Sequence, residues 1–189
     1  MHDVHPHLRT ARVAVFAPTF RLDGTVIVDA AALTAALAEI GVHLVVKVHP
    51  LMPVDFGPAV DTAPGFSTQE LLQVADLFIT DYSSALYEAA VLGVPCYFLA
   101  PDLDEYIASR DFYLDYRRDL PGPIVRDIPA LAAAIDAGTG TREATQAFAG
   151  RWVQVSAVAK TTKTPCADAI AGLIIDAVDA GSAAPRGGA

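Results

Sequence analysis

At 189 residues the chain is long enough for one well-buried domain and short for two full ones. Its formal charge of −9 at pH 7 argues against nucleic acid as a partner, because binding a phosphate backbone needs a basic face; a small phosphate-bearing ligand needs only one local site. The apolar fraction is 53%, yet no stretch offers the roughly 20 uncharged apolar residues of a membrane span, and the start, MHDVHPHLRTARVAV, lacks the basic-then-apolar order of a signal peptide. A cytoplasmic location is the expectation.

Residues 1–10 are expected to be a flexible segment. Ala11–Ala17 (ARVAVFA) reads as a short strand, Val28–Ile40 has helical spacing with Asp29 placed to cap it, and Val42–Val48 (VHLVVKV) is a β-branched strand. The order then repeats: Thr68–Val74 predicts a helix, Leu77–Thr80 a strand, Ser83–Leu92 a helix and Pro95–Leu99 a strand. A polar, aromatic loop leads to a last short strand at Pro123–Val125. Helices follow near Ile128–Ala137, Arg142–Val155 and Cys166–Ala180, and residues 181–189 (GSAAPRGGA) form a disordered tail. Strands alternating with helices of this length imply right-handed crossovers, and so an α/β fold: a parallel sheet with helices on both faces, in one domain spanning residues 11–180. Cys96 and Cys166 lack CxxC spacing and read as buried thiols, with a disulfide or a metal site as the alternatives. The sequence shows no metal-ligand cluster and implies no cofactor, while a requirement for a divalent cation is left open.

In such a sheet, ligands bind beyond the carboxyl ends of the strands. Three of those ends carry distinctive residues: Pro18-Thr19-Phe20-Arg21, Lys47-Val48-His49-Pro50, and Thr80-Asp81-Tyr82-Ser83-Ser84. The third opens a helix whose free backbone N–H groups, with the hydroxyls of Ser83 and Ser84, suit a phosphate. The same residues also suit plain capping, in which Asp81 or Ser83 satisfies the orphan amides. Glu88, about one and a half turns past Ser83, reaches the same edge at a depth that suits the two hydroxyls of a ribose, or serves as a surface glutamate. Gly93-Val94-Pro95 is a helix stop. His49, at a strand exit stiffened by Pro50, is placed to donate to a diphosphate or to manage a proton. Arg21, Lys47 and Arg110 read either as phosphate contacts or as surface charges.

Several of these segments together resemble a known family. Gln69-Glu70-Leu71-Leu72, Ala75-Asp76, Ile79-Thr80-Asp81-Tyr82-Ser83-Ser84, Tyr106, Arg110-Asp111-Phe112-Tyr113, Asp115-Tyr116 and Leu120-Pro121-Gly122-Pro123 are similar to the CDP-glycerol glycerophosphotransferase family, whose members prime and polymerise teichoic-acid-type chains. Pro18-Thr19-Phe20-Arg21 and Lys47-Val48-His49-Pro50 fall in the same order, so the resemblance runs from about Ala14 to Val125. It implies a two-domain GT-B architecture whose C-terminal, Rossmann-like half binds the CDP part of the donor, with this chain matching that half. The catalytic residue it implies is His49. The implied nucleotide and phosphate contacts are Thr80, Asp81, Ser83, Ser84, Glu88, Arg21, Lys47 and Arg110, with Tyr106 and Tyr113 packing near the mouth. The implied partners are CDP-glycerol or a related CDP-polyol donor, a lipid-linked polyol phosphate acceptor met at the inner face of the cell membrane, and a separate N-terminal half. A sugar-transferring GT-B enzyme and a non-catalytic nucleotide-binding remnant share some of these features and stand as alternatives.

Overall fold

Alternating apolar and β-branched residues put side chains on both faces of a strand at once, and here both faces are covered. The computed structural model describes residues 10–19, 27–47, 56–110, 112–153, 168 and 170–176. The chain divides into two compact units, Met1–Val153 and Gln154–Ala189. In the second, residues 168 and 170–176 are helical. The first holds five strands, β1 (Arg12–Ala17), β2 (Val42–Val46), β3 (Leu77–Thr80), β4 (Cys96–Leu99) and β5 (Ile124–Val125), in one sheet of order β2-β1-β3-β4-β5. Every pairing is parallel.

The period of two divides the core. Val13, Val15, Phe78, Cys96 and Phe98 point to one face and pack with Leu71, Leu86, Ala89 and Phe148. Ala14, Phe16, Ile79, Tyr97 and Leu99 point to the other and pack with Leu33, Leu37, Leu131 and Ile135. Helices α2 (Thr68–Leu72), α3 (Ala85–Leu92) and α7 (Arg142–Trp152) therefore cover the first face, and α1 (Ala30–Glu39) and α6 (Ile128–Asp136) the second. Truncating a fully buried member such as Leu33 to Ala should cost about 2–5 kcal/mol.

Helix ends follow local chemistry. Asp29 caps α1 by accepting from the amides of Ala31 and Ala32, both at 3.0 Å, as its place in the sequence predicts. Gly93 ends α3 at φ 67°, the left-handed region where a side chain is strained. Gly122 has a different reason: a Cβ there would lie 1.9 Å from the Cys96 carbonyl oxygen, so only glycine lets the chain enter β5 beside β4. Cys96 is fully buried, and burial pushes its thiol up to about 12; Cys166 lies outside the described residues.

The stretch between β4 and β5 differs from expectation. It contains two short helices, α4 (Leu103–Ser109) and α5 (Tyr116–Asp119). Their apolar residues are too few for a clear helical period. Long-range contacts hold them instead: Asp104 pairs with Arg117 and, at 2.6 Å, with Arg126, and the Tyr106 ring stacks on Tyr82.

Candidate functional site

The order β2-β1-β3 means that the chain leaves β1 in one direction and later returns to its other side. This creates a crevice beyond the carboxyl ends of β1 and β3, the usual ligand position in such sheets. Thr80 and Asp81 stand there and are tied to β1. The fully buried Thr80 hydroxyl donates to the Ala17 carbonyl at 2.8 Å. Asp81 Oδ1 accepts from the Thr19 amide at 2.7 Å, the Thr19 hydroxyl at 2.5 Å and the Tyr82 amide at 2.6 Å. The Asp81 carboxylate thus braces two strand exits and does not cap α3. Thr19 was not singled out in the sequence; its signal was its place in the Pro18–Arg21 segment that follows the first strand.

Past this brace the chain enters α3. Ser83 Oγ accepts from the Ala85 amide at 3.3 Å, while Ser84, the N-cap, makes no side-chain capping bond and is exposed. Of the two expected capping residues, Ser83 alone contributes, and only to one early amide. Both serines line a cavity of ≈ 160 Å³ together with Asp81, Tyr82, Phe112 and Leu120. Its wall is aromatic. The rings of Tyr82 and Tyr106 stack with centroids 3.6 Å apart and planes 11° apart, Phe112 and Tyr116 pack beside them, and the Tyr82 hydroxyl donates to Asp102 at 2.8 Å. The Tyr116 hydroxyl donates to the Asp81 carbonyl at 2.7 Å. Burial first, and then the neighbouring Tyr82 and Asp81, holds that phenol above its ordinary value, so it stays a donor. Tyr106 is a packing residue, as expected, whereas Tyr113 is fully exposed at the cavity lining.

Glu88 lies one turn further along α3 and meets α2: Gln69 Nε2 donates to its Oε1 at 2.9 Å. Lys47 follows β2, with its amide donating to the Phe16 carbonyl at 2.8 Å. Arg110 is absent from the lining of the cavity that the serines border. Its guanidinium lies 5.6 Å from the Tyr106 ring centroid and borders a second cavity, of ≈ 280 Å³, with Ile107, Asp115 and Arg117. Arg21 and His49 lie outside the described residues. Among the described residues, no group of three His, Cys, Asp or Glu is placed to hold a metal ion, and no helix is long and apolar enough to cross a membrane.

The sequence profile of the family described as CDP-Glycerol:Poly(glycerophosphate) glycerophosphotransferase matches residues 4–161. The chain belongs to this family. Among curated members, the teichoic acid ribitol-phosphate primase of Bacillus spizizenii is 33% identical over 148 residues, covering 71% of this chain and 38% of that protein. The teichoic acid glycerol-phosphate transferase of Staphylococcus aureus is 36% identical over 138 residues, covering 66% and 35%. The solved structure of the wall teichoic acid polymerase TagF superposes on this glycerophosphotransferase-family chain with a TM-score of 0.68 at 26% identity, over 93% of this chain and 47% of that one. A spinosyn rhamnosyltransferase shares the fold, with a TM-score of 0.52 at 19% identity. The Rossmann-like α/β class expected from the sequence is the class observed. The chain spans well under half the length of these two curated relatives.

Proposed function

We propose that this chain is the donor-binding half of a transferase that moves glycerol phosphate, or a related polyol phosphate, from a CDP-linked donor to a polyol phosphate acceptor with release of CMP. The observation that carries this reading is the first turn of α3, where Ser83 and Ser84 border a cavity and the N-cap side chain makes no capping bond. The amides of Ala85, Leu86 and Tyr87 have partners in Ser83 and Ser84, and the positive end of the helix dipole favours an anion by about 0.3–1 kcal/mol, and by about 2 when partly buried. In this reading that helix end and the two serine hydroxyls hold the donor diphosphate, and Glu88 takes the ribose hydroxyls. Thr80 and Asp81 act by bracing the crevice, with Lys47, Arg21 and Arg110 supplying positive charge around it.

The chemistry is phosphoryl transfer. An acceptor hydroxyl attacks the phosphorus that bears the glycerol, the bond from that phosphorus to the bridging oxygen breaks, and CMP leaves with the electron pair. Catalysis then consists of holding donor and acceptor in line and offsetting the developing charge. His49 is assigned to the transferred phosphate, as a proton carrier or hydrogen-bond donor. The acceptor is a lipid-linked chain end at the inner face of the cell membrane, brought in line by an N-terminal half of the GT-B kind.

Calorimetric titration of the chain with CDP-glycerol, CDP-ribitol, UDP-glucose and CMP tests the reading. A CDP-polyol should bind tightest, CMP more weakly for want of the second phosphate, and the isolated chain should transfer little. Preference for UDP-glucose would make it a glycosyltransferase half, and absence of nucleotide binding by the folded chain would overturn the proposal.

A further inference from the structure

Among the described residues, two buried side-chain polar atoms lack a hydrogen-bond partner: Trp152 Nε1 and Glu88 Oε2. The second is the more costly, because an unpartnered carboxylate oxygen removed from water forfeits the strong hydrogen bonds a charged acceptor makes. The other oxygen of the same carboxylate is engaged by Gln69 at 2.9 Å. Since a carboxylate only accepts, the group facing it is the Gln69 amide nitrogen.

Gln69 is itself firmly placed. It lies in the first turn of α2, where Ser67 and Glu70 form a reciprocal capping box, and α2 is anchored through the buried Leu71 and Leu72. An amide is well suited to orienting a carboxylate, because it fixes the rotamer through one hydrogen bond and leaves the negative charge in place. A lysine or arginine would neutralise the acid and compete for both oxygens.

We propose that Gln69 is a positioning residue that locks Glu88 so that Oε2 is presented to the vicinal ribose hydroxyls of the bound nucleotide, which makes the site selective for ribonucleotides over deoxyribonucleotides. This rests on the assignment of Glu88 to the ribose given above. The two hydroxyls supply the donors that Oε2 lacks, and Oε1 keeps a further acceptor site beside Gln69. Without the amide, a long and flexible side chain must be ordered at the moment of binding, which weakens its hold on the diol.

The test is the ratio of the dissociation constants of 2′,3′-dideoxy-CDP and CDP, measured by calorimetry on the full 189-residue chain. The unsubstituted protein should prefer CDP by about 10–100-fold, the range for two hydroxyls bonded to a charged group. Gln69→Ala, and Gln69→Met, which keeps the length but not the donor, should both cut that ratio by about fivefold or more while dideoxy-CDP binding changes little. A general loss of structure would weaken both nucleotides together and leave the ratio alone. If Glu88→Ala abolishes the preference while both Gln69 variants retain it, the positioning role is wrong and the ribose assignment stands. If Glu88→Ala leaves the preference intact, the ribose assignment fails, and this inference with it.

Discussion

Helices α2 and α3 both begin at a serine, and their first turns are finished in opposite ways. At α2, Ser67 Oγ accepts from the Glu70 amide at 3.2 Å and the Glu70 carboxylate accepts from the Ser67 amide at 2.8 Å. That end is closed by its own side chains, and its charge is already offset by an acid. At α3 the N-cap Ser84 makes no such bond, Ser83 reaches one amide, and a cavity opens beside them. The acids near these turns differ in the same sense: Asp81 Oδ1 accepts three hydrogen bonds from Thr19 and Tyr82, whereas Glu88 keeps a buried oxygen without a partner. Residue type therefore does not decide how fully a serine or carboxylate is satisfied. The number of partners the fold supplies does.

The comparison breaks most directly at Asp81. Asp81→Ala removes the acceptor for the Thr19 and Tyr82 amides and unpins the two strand exits, so urea unfolding should show a loss of about 2–4 kcal/mol. Weakened CDP binding with unchanged stability would instead make Asp81 a ligand contact. Replacing Ser83 and Ser84 together with Ala should do the reverse. CDP affinity should fall by about 1–3 kcal/mol, the scale of a few hydrogen bonds to a charged group, with stability changed by about 1 kcal/mol or less, because Ser84 is exposed and Ser83 caps a single amide at 3.3 Å. Unchanged affinity in the folded double variant would return both serines to simple capping.

The smallest effect belongs to the closed helix end. Ser67→Ala should cost about 1 kcal/mol of stability and change CDP affinity less than the double serine variant does. The Glu70 carboxyl is held below its ordinary value of 4.5, first by the backbone hydrogen bond from Ser67 and then by the Ser67 hydroxyl. A lowered folded-state value means that this contribution is present above the unfolded value and is lost as pH falls through the folded one. Urea midpoints should therefore show the advantage of Glu70 over Glu70→Gln shrinking as the pH is taken below about 4.5. An advantage that grows on acidification would contradict the capping box.

The layer plan was legible in the residues alone, because the information for it is local. Alternating buried residues such as Val13, Ala14, Val15 and Phe16 require a cover on both faces, and helical spacing between such runs supplies it. Asp29 and Gly93 mark helix ends through their own backbone chemistry, so they too were legible. Motif residues at the third strand exit located the crevice, since in a parallel sheet every such exit lies on one edge. Tertiary structure alone decided how those residues are used. The Asp81 carboxylate is occupied by Thr19, which lies 62 residues away, and Gln69 reaches Glu88 from another helix, 19 residues away. Helices α4 and α5 owe their place to Asp104 bridging Arg117 and Arg126 and to the Tyr82–Tyr106 stack, and Arg110 borders a different cavity from the serines it accompanies in the motif. Propensity and periodicity act over one or two turns of chain. Whether a polar group is satisfied depends on what the fold brings within about 3 Å of it, and that is fixed only when distant segments pack.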